Sequence, residues 1–457
     1  MPSALTRLDT PELRASIYQF MVYVPGGVAS VFFGIWLSDH GIPADQIGII
    51  NALPTLCLLL LNIIVGRIAD RADDWRTALI VISLLSALAP LPLYFVSEFW
   101  GILLIWALCA TSNGLVAPVI DAATVRMTRR NGTDFGTIRA WATVGYVFAA
   151  AGLGLFLNTL GSGAFVTLYV LTVVLRAALA FILPRFRAPA PQVTLANTPG
   201  AVAAEPSRLR DSLQLWFVLP LLAFALVNSS NALIGSFAAL LWHENGIPSY
   251  FLGPLLGIAA VGEAILMFAW RRFGGRVTAR NMILVASLAG LLRFTIMAFN
   301  PPVELLFFTQ LLHAFSFGMG YFGVVHFIAN WTNEANAAEA QGFANMLNMG
   351  AAMTALILFG FLFEFFGSYA FFYSTITSVL AIACILVSLR LKRPGTRIDG
   401  RQARRLLNRP GSAGVGSWHR VSPERSLPSA GVCGRSVLSG RWFGRRQGLG
   451  GLSQGAP

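Results

Sequence analysis

Gly41-Ile42-Pro43-Ala44-Asp45-Gln46-Ile47-Gly48 decides the fold, because it returns as Gly246-Ile247-Pro248-Ser249-Tyr250-Phe251-Leu252-Gly253. The two copies lie 205 positions apart (246 − 41 = 253 − 48 = 205), and the same offset carries Arg67 onto Arg272, Asp134 onto Glu339 and Gly145 onto Gly350. Chance does not hold one offset over half a chain, so the two halves are expected to repeat one another.

The sequence on either side of these turns is apolar. Hydrophobic residues make up 56% of the chain and charged residues 12%, against roughly 25% charged in ordinary soluble domains; mean hydropathy is +0.66. Such a composition cannot clothe a water-soluble surface. Apolar stretches of about 20 residues recur, each able to cross a hydrocarbon core of roughly 30 Å as a helix with its backbone hydrogen bonds satisfied internally.

Hydropathy and helix breakers predict spans near 14–38, 47–68, 77–96, 99–123, 137–158, 163–184, 213–242, 250–271, 281–299, 303–329, 341–363 and 368–390. The expected fold is an all-α membrane protein of twelve transmembrane helices in two pseudo-symmetric six-helix bundles. Residues 1–185 form the first bundle, 186–212 a cytoplasmic linker rich in proline and charge, 213–393 the second bundle, and 394–457 a disordered basic tail. An even number of spans per repeat gives both halves the same orientation. The first span follows Arg7 and Arg14 but has no small-residue cleavage site, so it reads as a helix and not a removable signal.

Charge sets the topology. Arg67, Arg71 and Arg76 follow span two, Arg126, Arg129 and Arg130 span four, Arg185 and Arg187 span six, and Arg271, Arg272, Arg276 and Arg280 span eight; the intervening connections contain no Lys or Arg. The positive-inside rule then places both termini in the cytoplasm and the protein in the cytoplasmic (inner) membrane. Most of the net charge of +13 belongs to the tail after Arg393, so it argues for no nucleic acid partner; anionic lipid headgroups are one possible contact. Cys57, Cys109, Cys384 and Cys433 have neither metal-ligand nor redox spacing and read as packing residues. No metal or other cofactor is expected, because His243-Glu244 lacks a second ligand set, and the same lack argues against an enzyme.

Ionisable side chains inside spans are costly and face a partner or a water-filled cavity. Asp121 ends span four and Arg139 opens span five, across one hairpin, where they can pair or cap their helices at the interface. Glu263, deep in span eight, is the strongest proton-binding candidate, and Arg293 and His313 on the next two helices complete a charge triad. Gln310 shares a helix face with His313, as Asn228 does with Asn231 and Asn345 with Asn348; such amides bind solute or join helices. Tyr23 and Trp141 are candidates to stack on a ring-bearing solute. His326 is the repeat counterpart of Asp121 and reads as an interfacial histidine. Pro25-Gly26-Gly27 is expected to bend or weaken span one.

Gly66-Arg67-Ile68-Ala69-Asp70-Arg71 resembles the cytoplasmic loop motif of the major facilitator superfamily, which implies a gating contact through Gly66, Arg67, Asp70 and Arg71; its second copy near Arg272 is degenerate. Ala117-Pro118-Val119-Ile120-Asp121-Ala122, Asp134-Phe135-Gly136-Thr137-Ile138-Arg139-Ala140-Trp141, Val261-Gly262-Glu263 and Leu292-Arg293-Phe294 resemble the phenylpropionate permease family over about residues 14–392. That family is related to lactose permease-type proton symporters, in which an acid on span four is followed eighteen positions later by an Arg, as Asp121 is by Arg139. Arg293 and His313, twenty apart, match an Arg and a His of the coupling site; Ser316 departs from it, standing where the sugar symporters carry the proton-binding glutamate.

The resemblance implies proton-coupled uptake of a small organic solute, an aromatic carboxylate first and a sugar or nucleoside by wider kinship. An efflux carrier is the nearest rival; a Gly-Pro-centred antiporter pattern is missing from residues 145–152. A membrane-embedded enzyme or receptor is the remote rival. The sequence does not fix the oligomeric state, and a monomer is compatible with it.

Overall fold

The computed structural model describes residues 10–71, 74–155, 157–186, 214–273, 277–332 and 337–391. Most of the expected linker and the expected tail lie outside the described residues, as do the side chains of residues 62–71, which include Gly66, Arg67, Asp70 and Arg71.

The described residues are helical throughout, with no strand. In chain order the helices are α1 (Pro11–Asp39), α2 (Ala44–Arg71), α3 (Trp75–Leu88), α4 (Phe99–Asn131), α5 (Phe135–Val147), α6 (Leu157–Leu160), α7 (Phe165–Ala180), α8 (Leu215–Leu233), α9 (Ala239–Glu244), α10 (Ser249–Phe273), α11 (Ala279–Ala298), α12 (Val303–Leu311), α13 (Gly320–Trp331), α14 (Ala337–Phe366) and α15 (Phe372–Arg390). Ten segments are long and apolar enough to cross a membrane, and one of them, Glu339–Arg390, contains α14 and α15 joined by a turn.

Both Gly-Ile-Pro copies are the same helix stop. Gly41 and Gly246 are left-handed at φ 74° and 79°; Ile42 N donates to Leu37 O at 3.1 Å and Ile247 N to Trp242 O at 2.9 Å. This is a Schellman closure, which needs the left-handed glycine, and the following proline prevents the helix from continuing.

Three expectations change. Span three ends at Leu88 and gives way to a 3-10 turn, Leu91–Tyr94, because Pro90 and Pro92 cannot continue an α-helix. Span five relaxes after Val147 into a π turn, Phe148–Leu153. Span one, by contrast, is unbroken across Pro25. Gly27 has a packing role there: a Cβ on it would lie 2.7 Å from Ala149 Cβ and 2.8 Å from Tyr146 O, so its bare backbone lets α5 and the π turn approach α1.

Packing divides the molecule unevenly. One apolar core contains residues of both halves, among them Phe33, Trp36, Ile47, Phe237, Trp242, Leu256 and Phe359. A second core lies wholly within the first half (Tyr18, Trp75, Ile120, Phe186) and a third wholly within the second (Phe217, Ile283, Phe327, Ile385). Along α1, Ala15, Tyr18 and Val22 belong to the second core, and Met21 and the residues from Val24 on belong to the shared one. The halves are therefore fused at the Gly41 and Gly246 end and separate at the other.

The fused end has two seams that obey the repeat. Gly48 on α2 meets α14, where an added Cβ would sit 2.4 Å from Leu356 O; Gly253 on α10 meets the π turn after α5, where it would sit 2.0 Å from Ala150 O. Small residues replace a hydrophobic driving force as the means of close helix approach in lipid. At the separate end, arginines close two open helix termini, Arg76 donating to Phe181 O at 2.5 Å and Arg280 to Ser388 O at 2.8 Å, while Arg130 donates to Phe186 O at 3.0 Å in the chain beyond α7. Cations beside terminal carbonyls are favoured by the helix dipole.

Candidate functional site

The second half builds its polar centre from α8, α10, α11, α12 and His313, the residue before the π turn Ala314–Met319. Arg293, mid-way along α11, is completely buried, and a guanidinium away from water must spend its donors on neighbours. Its Nη1 donates to Asn231 Oδ1 at 3.1 Å and lies 3.2 Å from His313 Nδ1; its Nη2 donates to Gln310 Oε1 at 2.9 Å. Ser316 Oγ is 3.5 Å from Nη1. None of these partners is a carboxylate.

The carboxylate enters one step further out. Glu263 Oε2 is 3.6 Å from His313 Nε2, the side chains 24% and 16% exposed. Nε2 thus faces Glu263 while Nδ1 faces both Arg293 Nη1 and Asn231 Oδ1, so carboxylate, imidazole and guanidinium follow one another. Glu263, Arg293 and His313, read from sequence as a triad, thus come together. The π turn that follows His313 is a wider turn than that of an α-helix, a local feature that recurs where helices carry function.

A chain of amides leads away from this line. Asn231 Oδ1 lies 3.1 Å from His313 Nδ1, Asn231 Nδ2 donates to Asn228 Oδ1 at 3.3 Å, and Asn228 Nδ2 donates to Asn348 Oδ1 at 3.3 Å. Asn345 is outside it: exposed, 3.9 Å from Met349 Sδ, it lines a cavity of about 400 Å³ with Leu58, Gly114, Pro118 and Met349.

The first half contributes a separate pair. Arg139 Nε is 3.5 Å from Asp121 Oδ2, each side chain about a third exposed (33% and 32%). Tyr23 joins α1 to it: Arg139 Nη2 donates to Tyr23 Oη at 2.7 Å, and the guanidinium sits 4.7 Å from the ring centre. Trp141 is 46% exposed and makes no polar contact with this pair. Pro118, one turn before Asp121 on α4, brings the cavity to the same face.

Two elements escaped the sequence reading. Gln19, fully buried, donates to Asp121 Oδ1 at 2.7 Å; only its register on α1, opposite Asp121, could have revealed it. Arg176 is also fully buried, donating to Asn113 Oδ1 and to Ser86 Oγ at 2.5 Å, and ties α3, α4 and α7 together. A lone arginine in an apolar span was the available signal.

Comparison with known proteins gives this arrangement its context. The sequence model of the MFS_1 like family matches residues 13–374. The chain is similar to the maltose permease of Geobacillus stearothermophilus, 23% identical over 83% of this chain and 95% of the permease. It is similar to the probable 3-phenylpropionic acid transporter of Escherichia coli (strain K12), 24% identical over 79% and 94% of the two chains. Among solved structures, that of the nucleoside transporter NupG superposes with a TM-score of 0.68 at 16% identity, covering 84% of this chain and 100% of that one; this likeness shows the major facilitator fold. The chain belongs to the MFS_1 like family and is an integral membrane carrier of the major facilitator type, not an enzyme.

Proposed function

We propose that the protein imports a small organic carboxylate together with a proton by alternating access. Two bundles, residues 1–185 and 213–393, rock about a central site while the linker 186–212 joins them on the cytoplasmic side and the tail 394–457 stands apart from transport. The protein lies in the inner membrane with both termini in the cytoplasm, on the positive-inside rule. In that orientation the fused Gly41 and Gly246 end faces outward and the separate end faces the cytoplasm.

One observation carries the coupling: the line Glu263, His313, Arg293, with 3.6 Å and 3.2 Å steps. Ser316 removes the acid that related symporters place after the histidine, so Glu263 takes the proton, with His313 as its immediate partner. Asp121 and Glu263 balance Arg139 and Arg293 when His313 is neutral, and loading one carboxylate and one proton leaves that balance unchanged. A site that is neutral before and after loading reorients without moving net charge through lipid.

Arg139, the more exposed guanidinium, holds the solute carboxylate with Tyr23 beside it, and Asp121 and Gln19 hold Arg139 in place. Leu58, Pro118 and Met349 offer the apolar wall for the rest of the solute, which suits an aromatic ring such as that in the name of the phenylpropionic acid relative. A sugar is the second reading. It is favoured by the Asp121–Arg139 pair, whose acceptor and donor suit hydroxyl groups, and by the maltose permease relative.

In proteoliposomes a one-unit inward pH gradient should drive about tenfold accumulation of labelled 3-phenylpropionate by one-to-one symport, since one pH unit is about 1.4 kcal/mol. Glu263→Gln should abolish that accumulation yet retain counterflow, which moves no net proton. Uptake indifferent to the gradient in the unaltered protein would sink the coupling, and accumulation of maltose in place of 3-phenylpropionate would replace the carboxylate with the sugar.

A further inference from the structure

The amide chain ends on a helix that also holds the far seam. Asn348 sits on α14, a 30-residue helix with no internal proline and no π turn. Sixteen residues on (364 − 348), about 24 Å along the axis at 1.5 Å per residue, Glu364 Oε2 accepts from Ala44 N at 2.9 Å. That bond crosses from the second half to the first and closes the N-terminus of α2, where a carboxylate complements the helix dipole. Gly360, one turn earlier, lets α14 meet α2: a Cβ there would lie 2.6 Å from Ala44 O. Ser38, Ile47, Leu240, Glu244 and Phe363 surround the latch.

The other end of the chain reads the charge line. Asn231 Oδ1 is shared between Arg293 and His313 at 3.1 Å each, so any change in the Glu263–His313 contact alters what Asn231 accepts. Asn231 passes that change to Asn228 and Asn228 to Asn348 through two amide bonds of 3.3 Å. The first two amides belong to α8 and the third to α14. A side-chain amide donates and accepts at once, so a row of them fixes one donor-acceptor polarity along its length.

We propose that Asn228 and Asn348 are positioning residues that couple the charge state of Glu263 to the α2–α14 seam, with α14 as the rod between them and the Glu364–Ala44 bond as its latch. This rests on Glu263 being the proton carrier. Neutralising Glu263 releases His313 and Asn231, slackens the hold of Asn228 on Asn348, and lets α14 withdraw Glu364 from Ala44. Asn228 and Asn348 then act on transport through helix position and not by touching solute.

The test needs no solute and no assumption about sidedness. In the full chain with its four cysteines replaced by serine, Ile47→Cys places a thiol at a seam position that is 1% exposed. Purified protein in lipid nanodiscs is then labelled with a polar maleimide reachable from both faces. Glu263→Gln should raise the labelling rate about fivefold, and Asn348→Leu should hold that increment within about twofold, a double-mutant coupling of the size expected for one network. Asn348→Gln, which keeps an amide, should restore the increment in part. An undiminished rise in the Asn348→Leu background overturns the relay, as does Glu263→Gln leaving the seam unlabelled in the Asn348 protein. A failure of gradient-driven uptake would remove the symport reading while leaving this labelling result to stand or fall by itself.

Discussion

Arg293→Ala is expected to reduce uptake by more than about a hundredfold, equivalent to about 3 kcal/mol, and to lower thermal stability in detergent. The guanidinium holds Asn231 on α8, Gln310 on α12 and His313 between α12 and the π turn. Its removal leaves buried amides and an imidazole without their donor. Hydrogen bonds to charged groups contribute about 1.5–3 kcal/mol each in soluble proteins, and polar contacts between membrane helices average about 0.6 kcal/mol. The lower figure applies to unfolding, because the unfolded state in lipid also finds partners, whereas transport depends on the geometry itself. Arg293→Lys should fail nearly as badly: an ammonium is a point donor and cannot span Gln310 Oε1 and Asn231 Oδ1 as the planar fork does. Uptake near the unaltered rate in either variant would remove Arg293 from the mechanism.

Gly253→Leu is expected to abolish net uptake while leaving equilibrium solute binding intact. A Cβ at position 253 would stand 2.0 Å from Ala150 O and 2.9 Å from Gly154 Cα, both backbone atoms that have no flexible end to move aside. Overpacking of this kind costs about 1–3 kcal/mol even where a core can adjust, and here the simplest relief is for the seam to stay apart. Gly48→Leu, at the repeat-related seam, should act in the same direction through Leu356 O. Gly350→Ala serves as the control, because nothing lies within 4 Å of a Cβ added there. Isothermal titration of 3-phenylpropionate beside uptake measurements reads both quantities; normal uptake by Gly253→Leu would mean that this seam does not have to close.

The duplication was readable because it uses residues whose backbone behaviour is fixed. Glycine at positive φ followed by proline has one common use at a helix end, so Gly41 and Gly246 announced two identical stops. Glu263, Arg293 and His313 were readable for an energetic reason: charge deep in an apolar span must find company, and the three lay on consecutive helices.

Orientation was much less legible. In lipid a packed helix face and a lipid-facing one are both apolar, so periodicity says little about which way a residue points. Asn345 and Asn348 are one turn apart, yet Asn348 meets Asn228 while Asn345 opens onto the cavity beside Met349. Trp141, two residues from Arg139, is 46% exposed, while Arg139 pairs with Asp121. Gly145 and Gly350 share the repeat offset but not the role: a Cβ on Gly145 would strike Phe20 O at 2.0 Å, whereas Gly350 is unobstructed. The repeat keeps the residue type at this offset while its neighbours differ.

The apolar mass common to both halves, with Phe33, Trp36, Phe237 and Phe359 within it, has a thermodynamic corollary. Under the proposed alternating access that end parts and its aromatic and aliphatic area becomes wet, and wetting apolar area raises heat capacity by about 0.45 cal/K/mol for every Å² exposed. The enthalpy of the transition therefore drifts with temperature. Warming and cooling alter the ratio of the two conformers along a curve and not a straight line, so a carrier built this way has a preferred thermal range written into its hydrophobic interior.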